Sequence, residues 1–156
     1  MSQGAPKHEK LDAKGLRFAV VSARWNAEIV EALVGTTVGE LNACKAVIES
    51  LHTCEGVFEL APLVARIARK GGIDGIVAIG CVIRGETDHH RLLANQTTHA
   101  LGQLALELAT NPRPIALTFG VLAVENEDQA RRRKDKGREF ARTCVSQALA
   151  LRAVGD

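Results

Sequence analysis

Halfway along the chain the sequence reads Gly75-Ile76-Val77-Ala78-Ile79-Gly80-Cys81-Val82-Ile83. The run from Ile76 to Ile79 has no polar position, so it does not fit a strand with one solvated face. Unbroken apolar runs of this kind are typical of the centre of a parallel sheet, where helices cover both faces. We therefore predict that residues 75–83 form the third and central strand of such a sheet.

The segments on both sides of this strand alternate between strand and helix patterns. Further strands are expected at 16–22, 46–53 and 115–124, and the expected helices follow Asn26, Glu59, His89 and Asn126, the last of them interrupted near Gly137. Asn26 and Asn126 are predicted N-caps. Apolar residues recur at helical spacing in the first helix, at Ile29, Val30, Leu33, Val34, Val38 and Leu41. The third helix is expected to bury Leu92, Leu93, Ala100, Leu101, Leu104 and Leu108.

Four repetitions of strand and helix predict one α/β fold. Right-handed crossovers place such strands in a four-stranded parallel sheet with helices on both faces, a flavodoxin-like three-layer sandwich. We expect residues 1–14 to be a flexible N-terminal arm and residues 15–156 to be a single domain.

Composition narrows the function classes. The 156 residues are 46% hydrophobic but only 3% aromatic, which indicates an aliphatic core. The net charge of +2 gives no general case for binding nucleic acid or a membrane. The basic run 131–138 is either a solvated helix end or the site of a small anion such as phosphate. Four scattered cysteines and no leader-like segment predict a cytoplasmic protein with reduced thiols. No metal site is expected, because the five histidines are not paired at ligand spacing and adjacent His89 and His90 are expected to point apart, as in most backbones.

Several chemically useful residues fall where predicted strands end. They are Trp25, the turn 56–59, the loop 81–89 and the segment 119–125. Ligands of open parallel sheets bind beyond the carboxyl ends of the strands, so these four pieces are expected to meet on one rim. The rim offers an aromatic plate, a carboxylate, free amides, a hydroxyl and an imidazole.

Each of these residues also has a structural interpretation. Trp25 is either a core filler or a stacking platform, and Glu59 either a first-turn acid or a ligand for substrate. His89 is either an exposed loop residue or a functional imidazole. Gly85-Glu86-Thr87 before a helix is a stronger signal, because glycine, free amides and a hydroxyl suit a phosphate. The P-loop, GxGxxG and GxSxG patterns are absent.

Four motifs follow one another between about Leu16 and Leu151: Ala23-Arg24-Trp25-Asn26; Gly56-Val57-Phe58-Glu59; Gly80-Cys81-Val82-Ile83-Arg84-Gly85-Glu86-Thr87 with His89; and Phe119-Gly120-Val121-Leu122 with Glu125-Asn126 and Gln129-Ala130. As a set they resemble the 6,7-dimethyl-8-ribityllumazine synthase family. The resemblance implies condensation of 5-amino-6-(D-ribitylamino)uracil with 3,4-dihydroxy-2-butanone 4-phosphate in riboflavin biosynthesis. It also implies a transferase without metal or organic cofactor.

The resemblance assigns roles by position. Trp25 and its neighbour Asn26 would bind the pyrimidine, whose edge meets main-chain groups of Cys81, Val82 and Ile83. The ribityl chain would lie against Val57, Phe58 and Glu59. Glu86 and Thr87 would line the phosphate pocket with Arg133, or in its place Arg131 or Arg132. His89 would transfer protons, and Phe119 would come from a neighbouring subunit.

Departures from the family pattern leave a second reading open. Glu55, Val57, His90 and Arg91 replace residues usual in the family, and the segment after Gln129-Ala130 is shorter. The alternative to an active enzyme is a catalytically weak member that binds flavin or lumazine or serves as an assembly scaffold. The resemblance further implies a homopentamer, alone or in an assembly of pentamers.

Overall fold

A computed structural model describes residues 4–7 and 10–155. Its elements are β1 (Arg17–Ala23), α1 (Ala27–Ala43), β2 (Val47–Cys54), a 3-10 turn (Val57–Glu59), α2 (Leu60–Lys70), β3 (Gly75–Ile83), α3 (His89–Ala109), β4 (Ala116–Val124), α4 (Glu127–Arg131), a second 3-10 turn (Lys134–Lys136) and α5 (Gly137–Val154). The predicted order of strands and helices is confirmed. Among these helices none is long and apolar enough to cross a membrane.

The four strands form one parallel sheet in the order β2-β1-β3-β4. The predicted central strand, β3, pairs with β1 on one side and β4 on the other, so that Val77 lies between Val20 and Thr118. Every residue of β3 up to Val82 is buried. β2 and β4 are the edges of the sheet. A strand covered on all sides can carry an unbroken apolar sequence, which accounts for the run that predicted it.

Helices pack on both faces of the sheet and create two separate cores. On the face with α1 and α5, buried side chains include Phe18, Leu33, Val77, Ile79 and Val145. On the face with α2 and α3 they include Val21, Leu60, Ile76, Ala78 and Leu101. Neighbouring residues of β3 thus enter opposite cores, as the pleat of a strand requires. The three-layer, flavodoxin-like architecture is confirmed.

The buried side of α3 differs from the prediction at Leu92, which is 64% exposed. Leu101 and Leu108 are buried, and Leu93 and Leu104 pack against the same core. Consecutive helical residues lie about 100° apart around the axis, so Leu92 does not share a face with Leu93. Thr97 is buried in that face instead, with no hydrogen-bond partner for its hydroxyl among the described residues.

The end of the predicted N-terminal arm is packed against the domain. Ala13 is fully buried, and its N–H donates to the Cys44 carbonyl over 2.7 Å. Residues 1–3 and 8–9 of the predicted arm, and residue 156 of the predicted domain, lie outside the described residues.

The last helical region is divided, as predicted, at Gly137. A Cβ at this position would overlap the hydroxyl of Thr36 and the carbonyl of Leu33, both on α1. The hydroxyl of Thr37 lies 3.1 Å from the Gly137 carbonyl oxygen. Glycine therefore lets α5 begin in direct contact with α1, and the basic segment before it runs across the start of α1.

Candidate functional site at the carboxyl ends of the strands

A cavity of about 460 Å³ lies at the carboxyl ends of β1, β2 and β3. Three of the four predicted segments meet there. The lining residues are Trp25, Asn26, Glu55, Gly56, Val57, Phe58, Glu59, Cys81, Val82, Ile83, Gly85, Thr87, His89, His90 and Leu93. The predicted convergence therefore holds for three segments, whereas no residue of the fourth, 119–125, lines this cavity.

Asn26 joins two of the segments through its side chain. Its backbone is left-handed, with φ of 58°, and its Nδ2 donates to the Cys81 carbonyl oxygen over 2.8 Å. Asn26 occupies the N-cap position of α1, but its side chain makes no capping hydrogen bond. The predicted N-cap position is therefore confirmed, but the side chain does not cap the helix, because its amide is turned across the sheet to β3. At the start of α4, by contrast, Asn126 does cap, accepting the Gln129 N–H over 2.9 Å.

Two aromatic side chains stand open to solvent at the cavity. Trp25 is 68% exposed and Phe58 is 57% exposed. The alternative of Trp25 as a core filler is excluded by that exposure. Large exposed aromatic rings beside a cavity are candidates for ligand contact, since their apolar area is not used in folding.

The turn after β2 is closed by its own carboxylate and by burial. Gly56 N–H donates to Glu59 Oε2 over 2.9 Å, and Glu59 N–H donates to the Gly56 carbonyl over 3.2 Å. Between them Val57 is buried, directly under Gly80 of β3. Glu59 therefore has a structural role as a first-turn acid, because one of its carboxylate oxygens holds the turn. The side chain as a whole remains exposed and lines the cavity.

The loop after β3 is held by polar contacts at the surface. Arg84 N–H donates to the Val124 carbonyl over 2.9 Å, and the Arg84 guanidinium pairs with Glu125 over 2.9 Å. The hydrogen bond and charge of Arg84 lower the pKa of Glu125, and Glu125 raises that of Arg84. Further along, Arg91 pairs with Asp88 over 2.9 Å. This loop is thus held by one backbone hydrogen bond and by exposed ion pairs.

Thr87 connects the loop to the start of α3. Its Oγ1 accepts the N–H of His89 over 3.4 Å, and its carbonyl oxygen lies 3.0 Å from Nδ1 of His90. Thr87 and His89 are exposed, and both line the cavity. A hydroxyl, an imidazole and the first turn of a long helix are thereby brought together, a combination that suits an anion and proton transfer.

Three sequence-predicted residues do not line this cavity. Glu86 is exposed on the loop beside it. Phe119 lies midway along the edge strand β4, in a different cavity beside Phe140. Arg133 Nη1 donates to the Gln129 carbonyl over 2.8 Å.

The two alternatives to Arg133 do not line the cavity either. Arg131 pairs with Glu127 over 2.7 Å and lies 4.0 Å from Glu28. Arg132 is exposed. The basic run therefore packs along the start of α1, and within the described residues of this chain it brings no cation to the cavity.

His90 and Leu93 line the cavity, although the sequence did not assign them to it. Adjacent histidines were expected to point apart, as they do in most backbones. At the open end of a helix both reach the same space, because the cavity wraps around the first turn. The signal available in the sequence was the position of His90 immediately after His89 at a predicted helix start.

Burial makes the cysteines near the site weak nucleophiles. It raises the pKa of the Cys81 thiol to about 11. Burial, followed by the charge of Glu59, raises the pKa of the Cys54 thiol to about 11. Thiolate is the reactive form, so neither thiol suits nucleophilic catalysis near neutral pH. Within residues 4–7 and 10–155, no three histidine, cysteine or acidic side chains are grouped to hold a metal ion.

The fold and the cavity define a flavodoxin-like α/β protein with a cavity of small-molecule size at the carboxyl ends of its strands. Residues 15–152 match the sequence model of 6,7-dimethyl-8-ribityllumazine synthase. The chain belongs to that family.

Relatives that carry the same name cover most of the chain. The protein from Kineococcus radiotolerans is 39% identical over 158 residues, which are 97% of this chain and 94% of the relative. The protein from Leptothrix cholodnii is 37% identical over 89% of this chain and 89% of the relative. The protein from Corynebacterium glutamicum is also 37% identical, over 96% of this chain and 93% of the relative. Both the family match and these relatives identify the chain as a transferase-type enzyme.

Proposed function

We propose that this protein forms 6,7-dimethyl-8-ribityllumazine from 5-amino-6-(D-ribitylamino)uracil and 3,4-dihydroxy-2-butanone 4-phosphate. The observation that carries the proposal is the meeting of an exposed aromatic plate, a glycine turn and an imidazole in one cavity, in a chain of this family. The residue roles below rest on positions in that cavity.

The pyrimidine binds at the Trp25 end. The exposed indole of Trp25 stacks on the ring, and main-chain groups of Cys81, Val82 and Ile83 meet its polar edge. The hydrogen bond from Asn26 to the Cys81 carbonyl supports this arrangement, because it fixes the strand end opposite the indole. A plate and a rigid polar edge together orient a planar heterocycle.

The ribityl chain lies along the turn after β2. Val57 and Phe58 provide main-chain groups there, and Glu59 provides the carboxylate oxygen that does not receive the Gly56 N–H. Because burial of Val57 fixes the turn, these groups are positioned before the ligand arrives. Such preorganisation reduces the ordering cost of binding a flexible polyol.

The phosphate binds at the loop after β3. Thr87 and Glu86 border it, and the start of α3 supplies N–H groups and a favourable dipole. Arg133 and Phe119 do not line the cavity of their own subunit, so we propose that a neighbouring subunit supplies them. The site is then shared between copies in a homo-oligomer, which we propose to be a pentamer acting in the cytoplasm.

The chemistry requires proton transfers and accurate positioning. The butanone carbonyl receives the amine, water leaves to give an imine, phosphate is eliminated, and the second amine closes the ring with loss of water. His89 takes up and returns the protons of these steps. An imidazole suits this task because histidine changes charge near neutral pH. Binding both substrates in one cavity supplies the remainder of the acceleration.

The test is the absorbance change on mixing both substrates with and without protein, since the spontaneous condensation sets the baseline. Wild-type protein should accelerate product formation, and His89→Ala should slow it about ten- to a thousandfold. His99→Ala, an exposed histidine further along α3, is the matched control and should keep the wild-type rate.

A separate readout distinguishes catalysis from binding alone. Trp25 is the single tryptophan, so its fluorescence should be quenched when pyrimidine or flavin stacks on it. Quenching without acceleration would contradict the enzymatic proposal and identify a binding or scaffold protein. If His89→Ala accelerated the reaction as much as wild type, the proposed role of His89 would be wrong, but the proposed enzymatic function would stand.

A further inference from the structure

An ion pair stands beside the turn after β2, at the edge of the cavity. Glu55 comes directly before the turn 56–59, is exposed and lines the cavity. Its Oε2 lies 3.5 Å from Nη1 of Arg24. The backbone brings these two residues together, because the Arg24 N–H donates to the carbonyls of Cys54 and Glu55 over 3.0 and 3.1 Å. The pair thus follows from the way β1 and β2 end side by side.

The part of the cavity proposed for the ribityl chain is lined by two carboxylates. They belong to Glu55 and Glu59, and Glu59 also accepts the Gly56 N–H over 2.9 Å. Burial, and after it the charge of Glu59, raises the pKa of the Cys54 thiol to about 11; Glu55 acts on it in the same direction and Arg24 in the opposite one. Two anions and one cation therefore act on the same turn.

This arrangement distinguishes ligands by the charge at the end of the ribityl chain. A polyol donates its hydroxyl hydrogens to carboxylates, so an uncharged ribityl chain suits the two acids. A terminal phosphate carries a charge of about −1.5 to −2 at neutral pH, and carboxylates repel it. The guanidinium of Arg24 would attract such a phosphate, but it is paired with Glu55. Glu55 therefore opposes a terminal phosphate in two ways, by its own charge and by its hold on Arg24.

We propose that Glu55 is a specificity-determining residue, which rejects ligands whose ribityl chain ends in a phosphate. The inference rests on the proposed function, because it takes the turn 56–59 as the place of the ribityl chain. It is separate from the phosphate of the butanone substrate, which is proposed to bind at the loop after β3. Glu55 is one of the positions at which this chain departs from the family pattern, so the selectivity is a property of this chain.

Riboflavin and its phosphate ester FMN are the matched probes, because they share the flavin ring and the ribityl chain and differ in the terminal phosphate. Their dissociation constants are measured by quenching of Trp25 fluorescence at neutral pH and low salt. The quantity compared is the constant for FMN divided by that for riboflavin in each protein, because altered stacking of the shared ring cancels in it. Glu49→Gln is the matched control, since Glu49 also pairs with an arginine, Arg17, and does not line the cavity.

The two partners of the ion pair should change this ratio in opposite directions. Wild type and Glu49→Gln should bind riboflavin more tightly than FMN. Glu55→Gln should lower the ratio about threefold and Arg24→Gln should raise it by about the same factor, as expected for exposed charge contacts. Both substitutions break the same pair, so opposite changes do not arise from loss of the pair as a structural contact. Changes in the same direction, or an unchanged ratio, would overturn the proposal.

Salt tests the physical cause independently. Raising the ionic strength should reduce the difference in ratio between Glu55→Gln and wild type, since charges at the surface are screened. A difference that persists in high salt would indicate shape instead of charge and overturn the proposal. Absence of quenching by either flavin would also overturn it, because the ring would not lie on Trp25.

The proposed function is tested separately, by acceleration of the condensation. A protein that binds both flavins without accelerating the reaction would contradict the enzymatic function, and the ratios would still decide the role of Glu55. A protein that accelerates the reaction but shows the same ratio in wild type, Glu55→Gln and Arg24→Gln would keep the enzymatic function and contradict the role of Glu55.

Discussion

The turn after β2 and the loop after β3 enclose the same cavity but are held by different forces. The turn 56–59 closes on itself, and Val57 is buried beneath β3. The loop 84–88 is exposed, and besides the hydrogen bond from Arg84 N–H to the Val124 carbonyl its contacts include the ion pairs of Arg84 and Arg91. Burial gives a rigid wall, whereas exposed ion pairs contribute little and are weakened by salt. One side of the site is thus fixed by burial, and the other is held mainly by polar contacts at the surface.

The largest effect on stability is expected where the turn touches the sheet. An added Cβ at Gly80 would lie 2.6 Å from Cγ1 of Val57, a stiff and buried side chain. Gly80→Ala should therefore lower the free energy of unfolding by about 1–3 kcal/mol, measured by urea denaturation. Val57→Ala in the same chain should recover part of the loss by removing the clash.

Gly85→Ala is the matched substitution in the loop. Nothing lies within 4 Å of a Cβ at this position. Its stability should stay within about 0.5 kcal/mol of wild type, as for ordinary surface changes. Equal losses at Gly80 and Gly85 would break the distinction between the two segments.

The next effect concerns the carboxylate that closes the turn. Glu59→Ala removes the acceptor for Gly56 N–H and should cost about 1 kcal/mol, the usual cost of a lost capping interaction. Glu59→Gln keeps an oxygen at the same reach and should recover most of the stability. Binding of the ribityl pyrimidine, followed by Trp25 fluorescence, should weaken in both variants if the second oxygen contacts the ligand. Retained stability in Glu59→Ala would mean that burial of Val57 alone holds the turn.

A smaller effect is expected from the ion pair of the loop. Arg84 lowers the pKa of Glu125 below its ordinary value, so the pair stabilises the folded state above that value and the contribution is lost as pH falls through the lowered pKa. The melting temperature of Glu125→Gln should therefore fall less between neutral and acidic pH than that of wild type. High salt should reduce the difference between the two proteins. A difference that persists in high salt would show that the loop is not held by surface charge.

The smallest effect on stability is expected from ionisation of the thiols of Cys54, at the end of β2, and Cys81, in β3. Because burial raises the pKa of Cys54 and Cys81 to about 11, thiol reagents should react slowly with the native protein at about pH 8 and rapidly after unfolding in urea. The raised values stabilise the folded state below the ordinary thiol pKa, and that stability is lost as pH rises toward 11. Comparison of wild type with Cys54→Ser separates the labelling and the pH-dependent stability due to Cys54 from those due to Cys81. Fast labelling of Cys81 in the native protein would mean that the wall of the site opens.

The features of the fold and site that depend on local sequence were predicted, whereas those that depend on contacts between distant elements were not. The central strand and the helix starts were predicted because apolar periodicity is a local property of the chain. Three of the four segments expected at the rim meet at the cavity, because parallel strands end on one edge of the sheet. Leu92 was predicted on the wrong face, since six leucines and alanines do not all fit one helical stripe. Asn26 does occupy the predicted N-cap position, but its side-chain amide donates to the carbonyl of Cys81, 55 residues away, which the local sequence does not indicate.

By itself the sequence determined the order of the elements, the buried central strand, the motifs of the family and the residues brought to the rim. These depend on periodicity, turn chemistry and chain direction, which are set by residues close together in the sequence. Only the tertiary structure decided that Trp25 is exposed, that His90 lines the cavity, and that Phe119 and Arg133 do not line it. Those outcomes depend on how separate elements pack, because the direction of a side chain is set by neighbours far away in the chain.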